Sequence, residues 1–190
     1  VPDVLDVSRE SPAIKKLYGV RDTHLHLFPA QCLRARRLAE AGVRFIQLTH
    51  PGWDTHVKQY QLLPKLCQDV DQPIAALIKD LKQRGLLDET LVCCLGEFGR
   101  SPRINPLGGR DHWTGCWTVY FAGGGVQGGR AIGRSDELGS HPLDRPTSPR
   151  EIAATIYHCL GIPEKTTQRI LGDDSFPMQE SGGQAIMELF

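Results

Sequence analysis

Leu66, Val70, Ile74, Leu77, Ile78 and Leu81 recur with helical period, Gly85 follows, and residues 91–95 (LVCCL) form an unbroken apolar run. A long one-sided helix that delivers the chain straight into a strand apolar at every position suits a sheet buried on both faces, as parallel sheets are. Pro73 interrupts the pattern, so the spacing predicts a helix over 64–84 with a kink or a restart, Asp71 serving as N-cap. The same order occurs upstream. Residues 30–41 read as a helix with Leu33, Arg37 and Ala41 on one face, Gly42 closes it, and 43–49 (VRFIQLT) reads as a strand. A third strand is expected over 118–122. A last helix is expected over 149–160, with Ser148 as N-cap, Pro149 in the first turn and Gly161 beyond the end. Helices alternating with apolar strands predict an α/β chain with a mostly parallel sheet, and ligands of such sheets bind beyond the carboxyl ends of the strands. Residues 1–29, punctuated by Pro2, Pro12, Gly19 and Pro29, read as irregular apart from a short helical pattern over 12–18. They are expected to pack with sequence upstream.

Charge and composition narrow the partners. Across 190 residues, 22 basic side chains balance 22 acidic ones, so no global field draws nucleic acid or an anionic membrane to the chain. No apolar run approaches the ~18 residues of a membrane span, and the first twenty residues lack the pattern of a secretory signal. The chain begins at Val1, which reads as processing or as the edge of a longer protein. Its six cysteines, Cys32, Cys67, Cys93, Cys94, Cys116 and Cys159, form no CxxC pair, which argues against a zinc ribbon; most are expected to be buried as small apolar residues.

Three polar constellations follow or precede the expected strands. In His50-Pro-Gly-Trp-Asp54-Thr-His56, an extended backbone puts Asp54 and His56 on the same side, where an oxygen and an imidazole nitrogen can meet on one cation. The simpler reading is a turn-capping Asp beside an exposed His. In Gly96-Glu97-Phe98-Gly99-Arg100, Glu97 sits just past a strand; either it is a ligand or it pairs with Arg100 to hold a turn. In Gly109-Arg110-Asp111-His112-Trp113, His112 offers another nitrogen, and Asp111 either joins it as a ligand or orients it through a hydrogen bond. Oxygen and nitrogen ligands gathered from separate loops are the usual construction of hydrolytic metal sites. Other features point elsewhere. The glycines between 123 and 133 lack a Gly-Lys-Ser/Thr ending and read as a hairpin or loop rather than a phosphate cradle. His24, His26, His141 and His158 read as loop, surface or packing residues, and Arg34, Arg36 and Arg37 as a solvated helix face.

The segments LRARRLAEAGV (33–43), GWDTH (52–56), RGLLDETLV (84–92), EFGRSP (97–102), GRDHW (109–113) and AGGG (122–125), in this order, resemble the bacterial sulfatase-like proteins grouped as domain-of-unknown-function family 1501. The resemblance implies the C-terminal portion of an α/β domain similar to the alkaline phosphatase superfamily, its sheet flanked by helices. It also implies a hydrolase of sulfate or phosphate esters that uses divalent metal, with a nucleophile from the family's N-terminal half. By position, Asp54, His56 and His112 look like the ligands of one metal, and Glu97 falls where the superfamily has an Asp on a second. Arg100 and Arg110 would contact the anionic group. Phe98 stands where that second site has a His, and Phe cannot bind metal. The resemblance therefore also allows a non-catalytic binding or scaffold protein that keeps the fold. The ion would be Zn, Mn, Fe or Ca, the substrate a small anionic ester or sulfated glycan, and the location periplasmic or otherwise exported.

Overall fold

The computed structural model describes residues 2–163, 167–169, 175–177 and 183–190. They form two compact units. The first comprises residues 1–90 and 100–113, and the second residues 91–99 and 114–190.

The first unit is helical. It contains α1 (Pro2–Leu5), α2 (Pro12–Tyr18), α3 (Phe28–Glu40) and α4 (Gln59–Gln83), with α2 packed against both α3 and α4. Helices α2 and α3 start on local signals. Ser11 Oγ accepts the Ile14 amide at 3.2 Å to start α2, and Gly19, at φ 75°, ends it in the left-handed conformation that glycine adopts without strain. Pro29 lies in the first turn of α3, where its missing N–H is no loss. Helix α4 runs through both Pro64 and Pro73 without the expected restart at Asp71. Pro73 is buried, and so are Ala76, Leu77 and Leu81, so the packing of this face outweighs the ~3 kcal/mol that an interior proline costs. Val7, Tyr18, Ala30, Cys32 and Leu33 complete the apolar core.

An arginine lies inside that core. Arg36 is 2% exposed, contrary to the solvated face expected for the basic trio of α3. Its Nη2 donates to Glu10 Oε1 and its Nη1 to Glu40 Oε2, both at 2.6 Å, while Nε lies 3.0 Å from Asp80 Oδ2 without hydrogen-bond geometry. Asp80, also 2% exposed, accepts from Tyr18 Oη at 3.1 Å and from Arg84 Nε at 2.8 Å. The neighbouring arginines are equally occupied. Arg37 donates to Glu10 and to the carbonyls of Val4 and Asp3, and Arg34 donates to the carbonyls of Leu5 and Leu25. The face of α3 that reads as hydrophilic is thus the one that fastens residues 3–25. Burial alone would raise the Glu10 carboxyl, but hydrogen bonds from Arg37 and Arg36 outweigh it and hold the group below its ordinary value.

In the second unit, β1 (Val92–Cys94) pairs antiparallel with β4 (Tyr120–Ala122), Val92 opposite Ala122 and Cys94 opposite Tyr120. β5 (Arg134–Ser135) and β6 (Pro142–Asp144) form a hairpin whose loop is closed by Asp136, which accepts from the Ser140 and His141 amides. Helix α5 (Pro149–Cys159) starts in a capping box, Ser148 and Glu151 satisfying each other's amides. Buried Thr155 then donates to the Glu151 carbonyl and accepts the Ile186 amide, tying residue 186 to the helix. β7 (Thr167–Arg169) and β8 (Ser175–Pro177) form another antiparallel pair. The glycines after β4 form turns, with Gly123, Gly124 and Gly125 all at positive φ.

These pairs correct the expectation of a mostly parallel sheet flanked by helices, as the C-terminal portion of an alkaline-phosphatase-like domain would show. The described strands form only two-stranded sheets: β1 with β4, β2 (Gly99–Arg100) with β3 (His112–Trp113), β5 with β6, and β7 with β8. Parallel neighbours need a crossover, usually a helix. No helix lies between Cys94 and Tyr120, and the chain returns to β1 in the opposite direction. The expected strand at 43–49 forms no ladder at all; Phe45 is 69% exposed there, so β-branched composition alone did not secure a partner. Residues 91–95 are only partly covered, and Leu95 is exposed. Of the six thiols, all free, only Cys32 is buried, while Cys67 and Cys94 are exposed. Among the described residues, no helix is long and apolar enough to cross a membrane.

Candidate metal centre

The site belongs to the first unit and begins with the start of α4. Lys58, just before the helix, is left-handed at φ 49° and offers no side-chain cap. Backbone carbonyls replace the cap: Lys58 N donates to Leu107 O at 3.1 Å and Gln59 N to Gly108 O at 2.9 Å, and Val57 bridges Gly108. The loop that carries His112 is thereby fixed to the segment that carries Asp54 and His56. Asn105 locks the joint. Its Nδ2 donates to His56 O at 2.9 Å and to Asp111 Oδ1 at 3.1 Å, while its Oδ1 accepts the Leu107 and Gly109 amides at 3.0 Å. Arg110 N donates to the carbonyl of buried Thr55 at 3.2 Å, completing the seam.

On this frame three ligand atoms converge. Asp54 Oδ1 lies 2.8 Å from His112 Nε2 and 3.0 Å from His56 Nε2, and the two imidazole nitrogens are 3.1 Å apart. Among the described residues, Asp54, His56 and His112 are the group able to hold a metal ion. The hydrogen bonds explain why the group suits one. Asp111 Oδ1 lies 2.9 Å from His56 Nδ1. An ionised carboxylate only accepts, so Nδ1 carries the proton and His56 turns its Nε2 lone pair toward Asp54 and His112. A divalent cation placed among them would satisfy all three atoms at once. Oxygen with two imidazoles is a donor set suited to Zn, Mn or Fe.

The charges favour the ionised form of each acid. Hydrogen bonds from His112 and from Arg100 Nη2, the latter at 2.6 Å, hold the Asp54 carboxyl down at about 2. Hydrogen bonds from His56 and Asn105 likewise keep Asp111 below its ordinary value. Both groups are carboxylates at neutral pH. Arg100, on β2, also donates to Arg110 O at 3.3 Å, so its guanidinium is anchored beside the ligand group.

Of the candidate residues, Asp54, His56, His112, Asp111 and Arg100 come together. Asp111 binds His56 rather than His112, the neighbour for which an orienting role was expected. Arg110 turns its Nη1 to the carbonyls of Ser101 and Pro102, both at 2.6 Å, and so clamps the turn that carries Arg100. Glu97 is exposed and belongs to the second unit. Of the other histidines, His24 contacts Thr23, His141 faces Asp136, and His158, on α5, packs against Phe190. Asn105 was missed. Its only sequence signal was an amide followed by a Pro and two glycines, which marks a turn but not a support for a ligand. Asn105→Ala is expected to weaken metal binding about 10–100-fold with all three ligands intact, measured by calorimetric titration of the whole chain.

Comparison with known proteins bears on this arrangement. The model of the family described as "Protein of unknown function (DUF1501)" matches residues 1–190. The chain belongs to this family. No curated protein and no solved structure matches it. The assignment agrees with the family, DUF1501, that the motifs resemble, and two of those motifs, GWDTH and GRDHW, supply the three residues that could hold a metal ion.

Proposed function

We propose that this DUF1501 protein is a metal-dependent hydrolase of sulfate or phosphate esters. The observation that carries the reading is the convergence of Asp54 Oδ1, His56 Nε2 and His112 Nε2 within 3.1 Å beside an anchored arginine. A divalent ion held there would supply Lewis acidity toward a sulfuryl or phosphoryl oxygen. By the resemblance the nucleophile comes from the family's N-terminal half, and this chain's residues shape the site around it. Asp111 and Asn105 keep His56 in the tautomer that ligates, and Asp54 stays ionised. Arg100 places positive charge where an ester anion would approach, and Arg110 steadies the turn beneath it. Glu97 is retained as a candidate ligand of a second ion. The substrate class is a small anionic ester or a sulfated glycan, and we extend the proposal to an exported, periplasmic location.

Phe98 favours a second reading, a protein that binds metal and ligand without turnover, because a phenyl ring stands where the related enzymes have a histidine. Two measurements on the protein separate these readings. Wild-type protein is expected to retain at least one divalent ion per chain, and His112→Ala to lose the ion held by the triad. Aryl sulfate or aryl phosphate is expected to be hydrolysed by wild type and not by Asp54→Ala. Bound metal with no turnover would favour the binding protein, and an absence of metal in wild type would sink the hydrolase reading.

A further inference from the structure

Resting on that reading of the site, we infer that the Asp54, His56, His112 group selects a six-coordinate divalent ion of the Mn or Fe type over tetrahedral zinc. The three ligand atoms form a tight triangle with edges of 2.8, 3.0 and 3.1 Å. With metal–ligand bonds of about 2.1 Å, such edges subtend about 85–95° at the ion, whereas tetrahedral angles would require edges of about 3.4 Å. Three ligands at mutual right angles occupy one face of an octahedron, the arrangement of two histidines and one carboxylate typical of open six-coordinate sites. Calcium and magnesium fit less well, because both prefer shells made of oxygen alone.

Widening the triangle toward tetrahedral angles meets resistance on every side. His56 is held at Nδ1 by Asp111, which Asn105 holds in turn, and the His56 carbonyl is bonded to the same asparagine. Asp54 is drawn toward Arg100 at 2.6 Å. His112 is part of β3, paired with the strand that carries Arg100. Movement of Asp54 or His56 therefore strains a charge-assisted bond, while the backbone of His112 is placed by β3. An ion held by these three residues would have positions left for exogenous ligands, with the Arg100 guanidinium alongside for an anion.

Cobalt reports coordination number directly, since its visible bands are weak in a six-coordinate site and intense in a tetrahedral one. Metal-free full-chain protein is titrated with Co2+, bound cobalt is counted by equilibrium dialysis, and His112→Ala serves as the blank. The expected result is one bound cobalt, absent from the blank, with visible absorption about tenfold or more below that of a tetrahedral site. Bound cobalt with intense tetrahedral bands overturns the six-coordinate assignment and leaves the metal reading intact. No cobalt bound beyond the blank overturns both.

Discussion

Arg36→Ala is expected to lower the stability of the protein by about 3–5 kcal/mol, the range for removing one partner of a buried ion pair. The substitution removes the cation that faces three carboxylates and leaves Asp80, 2% exposed, with only Tyr18 and Arg84 as partners. Glu10 keeps Arg37, but loses the bond that ties it to the centre of α3. Part of the loss is volume, because a fully buried arginine side chain leaves a cavity between α3 and α4 that the methyl group of alanine does not fill. Urea denaturation of the whole chain checks the expectation, and a midpoint within error of wild type would refute it. Arg36→Lys provides the contrast. It keeps the charge but cannot bond Glu10 and Glu40 at once through a planar fork, so it should fall between the two.

The second large effect is expected at Gly109. A Cβ built there meets His56 C at 2.0 Å, His56 O at 2.1 Å and Val57 N at 2.5 Å. All three are backbone atoms, so no rotamer change relieves the clash, and the 105–110 loop must withdraw from the strand-like segment it caps. Gly109→Ala is therefore predicted to reduce metal affinity by about 100-fold or more, because ligands on the two sides of the seam separate. Gly108→Ala is the control. Gly108 is left-handed at φ 72° but meets only Lys58 N, at 3.9 Å, so the strain is ~1 kcal/mol and the ligand geometry survives. Similar metal affinities in the two variants would refute the steric account.

The helices were legible because their signals are local. Gly42, Gly85 and the Ser148-Pro149-Glu151 start fix helix ends within a few residues of sequence, and the structure places α3, α4 and α5 close to those marks. The sheet was not legible. Whether 43–49 or 91–95 becomes a strand depends on a partner elsewhere in the chain, and only the second found one. Arg36 shows the same limit from the other direction. Nothing within its helix says that Glu10 and Asp80 close over it, so a run of arginines reads as surface when periodicity is the only guide. The ligand group was legible for chemical rather than architectural reasons. Asp54 and His56 are two residues apart on a non-helical backbone, which puts them together whatever sheet they border. Its support was hidden, because Asn105 acts through backbone amides that no motif records.

The 58-residue separation of Asp54 from His112 also has a consequence for biosynthesis. At translation speeds of about 5–20 residues per second, the first two ligands leave the ribosome roughly 3–12 s before the third. During that interval Asp54 and His56 are a bare two-ligand pair on an unfinished chain, and the Gly108 carbonyl that caps α4 has yet to be made. On the proposed reading, metal loading would therefore be a property of the finished fold. An ion met by the nascent chain finds only a weak chelate, and selection among the cell's competing metals is deferred until residues 100–113 have docked.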